Sequence, residues 1–226
     1  MDTAVITGAS RGLGLALARE LARRDWRLVV DARGADELAA ARAELAARTE
    51  VVAVRGDVAD PEHRRALVAA AGPRVRLLVN NASVLGPSPQ PRLADYPLAE
   101  LERVYRVNVL APLALFQAAL PALDAGAVVL NVSSDAAVEP YPGWGGYGSS
   151  KAALDQLTRV LATEHPELRI IAVDPGDMNT RLQQDAFPGE DVSDRPPPEA
   201  SVPGLLALID GDSASGRYLA RSLAAA

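Results

Sequence analysis

The chain has 226 residues, a formal net charge of −6, no cysteine and two histidines. Without cysteine there can be no disulfide, thiolate nucleophile or cysteine-ligated metal, and histidines on separate segments argue against zinc. An acidic balance with no Lys/Arg-rich face argues against nucleic acid as a partner, and 49% hydrophobic with 23% charged residues fits a globular domain with a large core.

The longest apolar stretch, Val109 to Leu123, is interrupted by two prolines and Gln117 and falls short of a membrane span. A periodic apolar segment already begins at Thr3, so no signal peptide and no membrane partner are expected, and the protein is read as cytoplasmic.

Thr3 to Thr7 is a short apolar run that stops at Gly8 and reads as a buried strand. The turn Gly8-Ala9-Ser10-Arg11-Gly12-Leu13-Gly14 follows, then a helix with Leu13, Leu17 and Leu21 on one stripe. Glycines there let the backbone turn tightly against a ligand, and the open N–H groups of a new helix suit a pyrophosphate. No Lys follows Gly14, so the mononucleotide P-loop pattern is not met.

Further strands are predicted at 27–31, 51–54, 75–80, 127–132, 169–173 and 217–219, with helices between them. Asp60-Pro61-Glu62 has the form of an N-cap with proline at the first helical position. Residues 86–97 form a proline-rich loop, 98–120 a helix broken or bent at Pro112, and 177–198 a polar, acidic substrate flap. His63 and His165 read as exposed helix residues without a role. The alternation predicts an α/β fold in one domain over 1–226: a three-layer, doubly wound parallel sheet of about seven strands. Gly8, Asp57, Asn81, Ser134 and Pro175 each follow a predicted strand's carboxyl end, the edge where such sheets bind ligands.

The stretch Ser133 to Lys151 carries the candidate chemistry. Tyr147 and Lys151, four residues apart on a helix, would lie on one face with Cβ atoms roughly 5–6 Å apart. A phenol ordinarily ionises near pH ~10; an ammonium one turn away favours the phenolate, so the pair could move a proton to or from a carbonyl or alcohol oxygen. Ser134, thirteen residues upstream at a strand end, would add a hydrogen-bond donor for that oxygen. Taken alone, the same pair also reads as a half-buried ring and a solvated charge.

In combination, Thr7-Gly8-Ala9-Ser10-Arg11-Gly12-Leu13-Gly14, Asp57-Val58, Asn80-Asn81-Ala82, Asn108, Ser134, Tyr147-x-x-x-Lys151 and Pro175-Gly176 with Thr180 resemble the short-chain dehydrogenase/reductase family in its single-domain branch. The resemblance implies a Rossmann-like strand order of 3-2-1-4-5-6-7. It also implies hydride transfer between a nicotinamide and a carbonyl or secondary alcohol, with Tyr147 as acid or base, Ser134 on the substrate oxygen and Lys151 on the nicotinamide ribose. Asn108 would hold a water relaying protons to Lys151; an Asn satisfying a helix kink fits it nearly as well. By the same resemblance the cofactor would be held by Gly8, Ser10, Arg11, Gly12, Leu13 and Gly14 at the first turn and Asp57, Val58, Asn81 and Ala82 beyond the third and fourth strands. Tyr147 and Lys151 would complete the site with Pro175, Gly176, Met178 and Thr180. Ser83 stands where the family usually has glycine.

Asp31 could accept hydrogen bonds from an unphosphorylated ribose, which would favour NAD; Arg11 and Arg33 could instead clasp a 2′-phosphate. Aligning Ala32 with the discriminating acidic position favours NADP over NAD. The short tail implies an open substrate site, with Leu85, Tyr141, Trp144, Met178, Leu182 and Phe187 as candidate lining for a small or medium apolar carbonyl compound. A homodimer or homotetramer pairing helices 98–120 and 147–164 is expected by resemblance. A carbonyl reductase is the leading reading, a non-catalytic dinucleotide sensor on the same fold the competing one, and dehydration or racemisation a third.

Overall fold

A computed structural model describes residues 1–223. Seven parallel strands form one sheet: β1 (Thr3–Ile6), β2 (Arg27–Ala32), β3 (Val51–Arg55), β4 (Val75–Asn80), β5 (Leu123–Val132), β6 (Arg169–Asp174) and β7 (Gly216–Leu219). Their order is β3-β2-β1-β4-β5-β6-β7, as expected. The chain reverses its direction of travel between β1 and β4, and this is where a doubly wound sheet opens a crevice.

The central strands are apolar on both faces, because each face is covered by helices. Ile6, Leu77, Leu130 and Ile171 pack with Leu17 and Leu21 of α1 (Gly12–Arg23) on one face. On the other, Val5, Leu78, Val129 and Ile170 pack with Leu67 and Phe116. The flanking helices are α2 (Ala35–Ala46), α3 (Pro61–Ala71), α4 (Leu98–Tyr105), α5 (Ala111–Ala119), α6 (Gly145–Glu164), α7 (Arg181–Ala186), α8 (Val202–Asp210) and α9 (Ala220–Leu223). Asp60 caps α3 by accepting from the Glu62 N–H, and Pro61 takes its first position.

The structure adds to or departs from sequence expectation in several places. The helix over 98–120 is not broken at Pro112; a π-turn, Arg106–Leu110, precedes it and joins α4 to α5. A proline near the start of α5 can be accommodated there because the widened turn takes up the irregularity. The span Leu98–Ala122 is long and apolar enough to cross a membrane, and half of its most apolar 18-residue window is buried within this fold. Residues 177–198 carry α7 and are tied across the cleft mouth by the Ser88 hydroxyl, which donates to the Asp185 carbonyl at 2.6 Å. Finally, β5 begins at Leu123, four residues earlier than expected, and His63 is buried, not exposed.

Candidate active site

Above the carboxyl ends of β1, β4, β5 and β6 lies a cleft of about 900 Å³. That is the upper part of the about 300–1,000 Å³ range of small-molecule sites. One end is the glycine turn. Gly8 has φ +66°, and a Cβ there would come within 2.9 Å of Ala82 Cα. Gly14 does not line the cleft: it lies where a Cβ would meet Asn81 Nδ2 and the Gly8 carbonyl at 2.6 Å. Asn81 uses that same Nδ2 to donate to the Thr7 and Gly8 carbonyls at 2.8 and 3.1 Å, so β4 holds the turn from beneath. The N-terminus of α1 has no side-chain cap and no acidic residue in its first turn. Its N–H groups and positive dipole end are therefore available to an anion.

Ser10, Arg11, Gly12 and Leu13 line the cleft beside Gly8, followed by Arg33 after β2 and Asp57 and Val58 after β3. Asn81, Ala82, Pro175, Gly176, Met178 and Thr180 line it as well. Arg11 is ion-paired with Glu37 at 3.0 Å, while Arg33 has no side-chain ion pair among the described residues. Asp31, weighed above as a ribose reader, has both carboxylate oxygens engaged from inside the protein. Oδ1 accepts from the Gly8 N–H at 2.6 Å, and Oδ2 lies 2.7 Å from His63 Nε2.

The other end of the cleft holds Ser134, Tyr147 and Lys151. The local sequence explains their convergence. β5 delivers Ser134, which caps the 3₁₀ turn Asp135–Ala137 through the Ala136 N–H. α6 then returns over the sheet and is fixed by a buried polar chain: Asn80 Nδ2 to Asn131 Oδ1 at 2.7 Å, and Asn131 Nδ2 to Thr158 Oγ1 at 2.8 Å. Gly148 packs against the Ala136 carbonyl at a distance where a Cβ would clash (2.5 Å), which lets α6 sit close to the Ser134 turn. Lys151 Nζ lies 5.5 Å from the Tyr147 ring centroid and donates to the Val132 carbonyl at 2.7 Å.

Burial governs the charge of this pair. It pushes the Tyr147 phenol well above its usual range, with Asp174 and Asp135 adding to the rise. The nearby Ser83 and Ser134 hydroxyls pull in the opposite direction. The same burial lowers Lys151 to about 8, partly offset by Asp155 one turn along α6. Sequence reasoning expected the lysine to lower the phenol's pKa; in this structure burial is the largest influence on the phenol and raises it, because the charged form is disfavoured away from water. The phenol therefore rests as an acid.

Asn108 lies in the π-turn, fully buried and off the cleft wall. Its Nδ2 donates to the Val84 carbonyl (2.9 Å) and Ser150 Oγ (3.0 Å), and its Oδ1 accepts from the Val84 N–H (2.9 Å) and the Ser83 hydroxyl (3.1 Å). Of the expected substrate lining, Leu85, Trp144, Met178 and Leu182 face the cleft. Tyr141 and Phe187 do not; they stack edge-on or tilted against Trp144, at 6.4 and 5.9 Å between centroids.

Sequence reasoning missed two sets of residues. One is the Asp31–His63 pair. The other is Arg217 of β7, which donates to Asp155 (2.9 Å), Asp174 (3.3 Å) and the Ser134 carbonyl (2.9 Å). An inward-facing charge on the last strand was the available signal for the second.

The sequence matches the short chain dehydrogenase family over residues 2–191. Mouse sepiapterin reductase is 35% identical over 197 residues, covering 80% of this chain and 76% of that protein. The 2-(R)-hydroxypropyl-CoM dehydrogenase of Xanthobacter autotrophicus is 36% identical over 196 residues, with 80% and 76% covered. Among solved structures, an alcohol dehydrogenase from the archaeon Thermococcus sibiricus, complexed with 5-hydroxy-NADP, superposes with a TM-score of 0.87 at 29% identity, covering 99% of this chain and 97% of that one.

Proposed function

This chain belongs to the short-chain dehydrogenase family, whose members are oxidoreductases, and on that premise we propose that it is an NADPH-dependent carbonyl reductase working through Ser134, Tyr147 and Lys151. The observation that carries the reading is the joining of those three side chains and the glycine turn by one continuous cleft.

The residues fit a nicotinamide dinucleotide. The Gly8–Gly14 turn and uncapped α1 suit its pyrophosphate, and Arg33 on the rim suits a 2′-phosphate. Preference for the phosphorylated form is further supported by the engaged carboxylate of Asp31 and by a relative solved with 5-hydroxy-NADP. The bound cofactor supplies the hydride. Tyr147 gives its proton to the substrate oxygen as charge develops there, and takes one back in alcohol oxidation. Ser134, whose hydroxyl donates to Asp135 Oδ1 at 2.9 Å, turns to donate to that oxygen. Lys151 places positive charge beside the phenolate that remains.

Leu85, Trp144, Met178 and Leu182 give the substrate end an apolar wall, which supports a small or medium apolar carbonyl compound. Exposed Leu98, Leu110 and Val160, on α4, the π-turn and α6, support a homo-oligomer through these helices, testable by light scattering. The preservation of the serine, phenol and lysine in one cleft favours turnover over a sensor role.

The test is a panel of ketones, aldehydes and alcohols followed at the nicotinamide absorbance with both cofactors, on the native chain and on Tyr147→Phe. The variant is expected to lose about 10²–10⁴-fold in turnover, the usual contribution of a positioned acid, while binding NADPH normally. Unchanged turnover would remove Tyr147 from the mechanism.

A further inference from the structure

Asp31 and His63 stand 32 residues apart in sequence and are almost wholly buried against each other. His63 Nε2 and Asp31 Oδ2 stand 2.7 Å apart, hydrogen-bond distance with one proton held between them. The rest of Asp31 is committed to the glycine turn. Its Oδ1 accepts from the Gly8 N–H at 2.6 Å, and its backbone carbonyl accepts from the Ala9 N–H at 2.9 Å. The His63 ring lies flush against Gly56: a Cβ there would meet Nδ1 at 2.2 Å. Gly56 leads directly into Asp57, on the cleft wall.

One buried pair therefore joins the turn after β1, the end of β2, the turn after β3 and helix α3. All of these border the adenosine end of the cleft. A carboxylate near the end of the second strand commonly binds the ribose 2′-hydroxyl in such sites. Here the residue borders the cleft yet is only 1% exposed, and both its carboxylate oxygens are engaged from within.

We propose that Asp31 and His63 are positioning residues for the dinucleotide, setting the conformation of the glycine turn and of the Gly56–Asp57 turn without touching the ribose. The inference rests on the reading of the cleft as a dinucleotide site. It follows that cofactor discrimination does not pass through Asp31, and that the pair serves phosphorylated and unphosphorylated cofactor alike.

Dissociation constants for NADPH and NADH, measured by nicotinamide fluorescence, test this on the full chain, Asp31→Ala, His63→Ala, the double variant and Asp31→Asn. A distorted turn loses part of a charge-assisted network, so each alanine variant should weaken both nucleotides in parallel by about fivefold or more. The loss in the double variant should fall short of the sum of the two single losses, because the two side chains work as one pair. Asp31→Asn keeps an oxygen for Gly8 and should recover most of the affinity. Should Asp31→Ala fail to fold, His63→Ala and Asp31→Asn still give the comparison. A selective loss of NADH in an Asp31 variant would make it a ribose reader and overturn the proposal. Lower melting temperatures with unchanged affinities would overturn it too, by making the pair structural only. A native chain that binds neither nucleotide would instead sink the dinucleotide reading, and the proposal with it.

Discussion

Arg217 Nη2 donates to the carbonyl oxygen of Ser134 at 2.9 Å, so the last strand of the sheet holds the backbone of the proposed catalytic serine. The same guanidinium pairs with Asp155, one turn beyond Lys151, and with Asp174, which precedes Pro175 and Gly176. Three walls of the reacting end thus meet on a single side chain. Burial raises the pKa of Asp174, with Arg217 and the Gly176 N–H opposing the rise.

Arg217→Met should therefore cost both stability and turnover. Removing one partner from a buried ionic cluster typically costs about 3–5 kcal/mol. The Arg217 side chain is 19% exposed, so a loss of about 2–4 kcal/mol in urea denaturation is expected, largely relieved by adding Asp155→Asn. Turnover should fall as well, since the groups released are the Ser134 backbone, Asp155 one turn from Lys151, and Asp174. A variant as stable as the native chain would show that the cluster contributes little.

Ser83 bears on the phenol's ionisation. Its hydroxyl donates to Asn108 Oδ1 at 3.1 Å and sits beside the Tyr147 phenol, whose pKa it lowers against burial, Asp174 and Asp135. Ser83→Gly removes that donor, so the phenolate becomes harder to form. The limb over which alcohol oxidation rises with pH should move to higher pH by about half a unit to one unit, with about three- to tenfold slower turnover at neutral pH. A limb that stays in place would show that Ser83 does not contact the working phenolate.

Lys151 carries a stability cost. Its pKa falls from 10.5 to about 8 on folding because burial disfavours the charged amine. Below pH 8 that penalty is fully present. Between about 8 and 10.5 the unfolded chain binds more protons, so this contribution makes the native protein more stable as pH rises. Lys151→Met should raise stability at pH 7 by about 2 kcal/mol, after the lost bond to Val132 is counted, and the advantage should shrink through that window. Thermal melts at pH 7 and 10 check the sign, and activity should be lost throughout.

Arg33 and Arg11 should separate in cofactor binding. Arg11 is held by Glu37, whereas Arg33 lines the cleft without a side-chain ion pair among the described residues. Arg33→Ala should weaken NADPH by about ten- to a hundredfold, the scale of a charge-assisted phosphate contact, and leave NADH unchanged. Equal losses for both nucleotides would move the 2′-phosphate elsewhere.

Strand alternation, the glycine turn and the Tyr147–Lys151 spacing were legible in the sequence because each is local. A hydrophobic period of two or 3.6, a turn that tolerates only glycine, and two side chains one helical turn apart need no distant partner to be recognised. The gathering of Gly8, Asn81, Ser134 and Pro175 on one edge followed from the same local pattern through the rules of parallel sheets, while the strand order came from the family resemblance. What depended on distant partners was left to the tertiary structure. Sequence alone could not say that His63 would turn inward to Asp31, that Arg217 would reach Ser134, or that a π-turn would seat Asn108 behind the cleft. Nor could it give the balance of charge at Tyr147, where burial is the largest influence. The reason is the same in each case: a polar group's partner and its distance from water are set by which surfaces meet, and those belong to residues tens of positions apart.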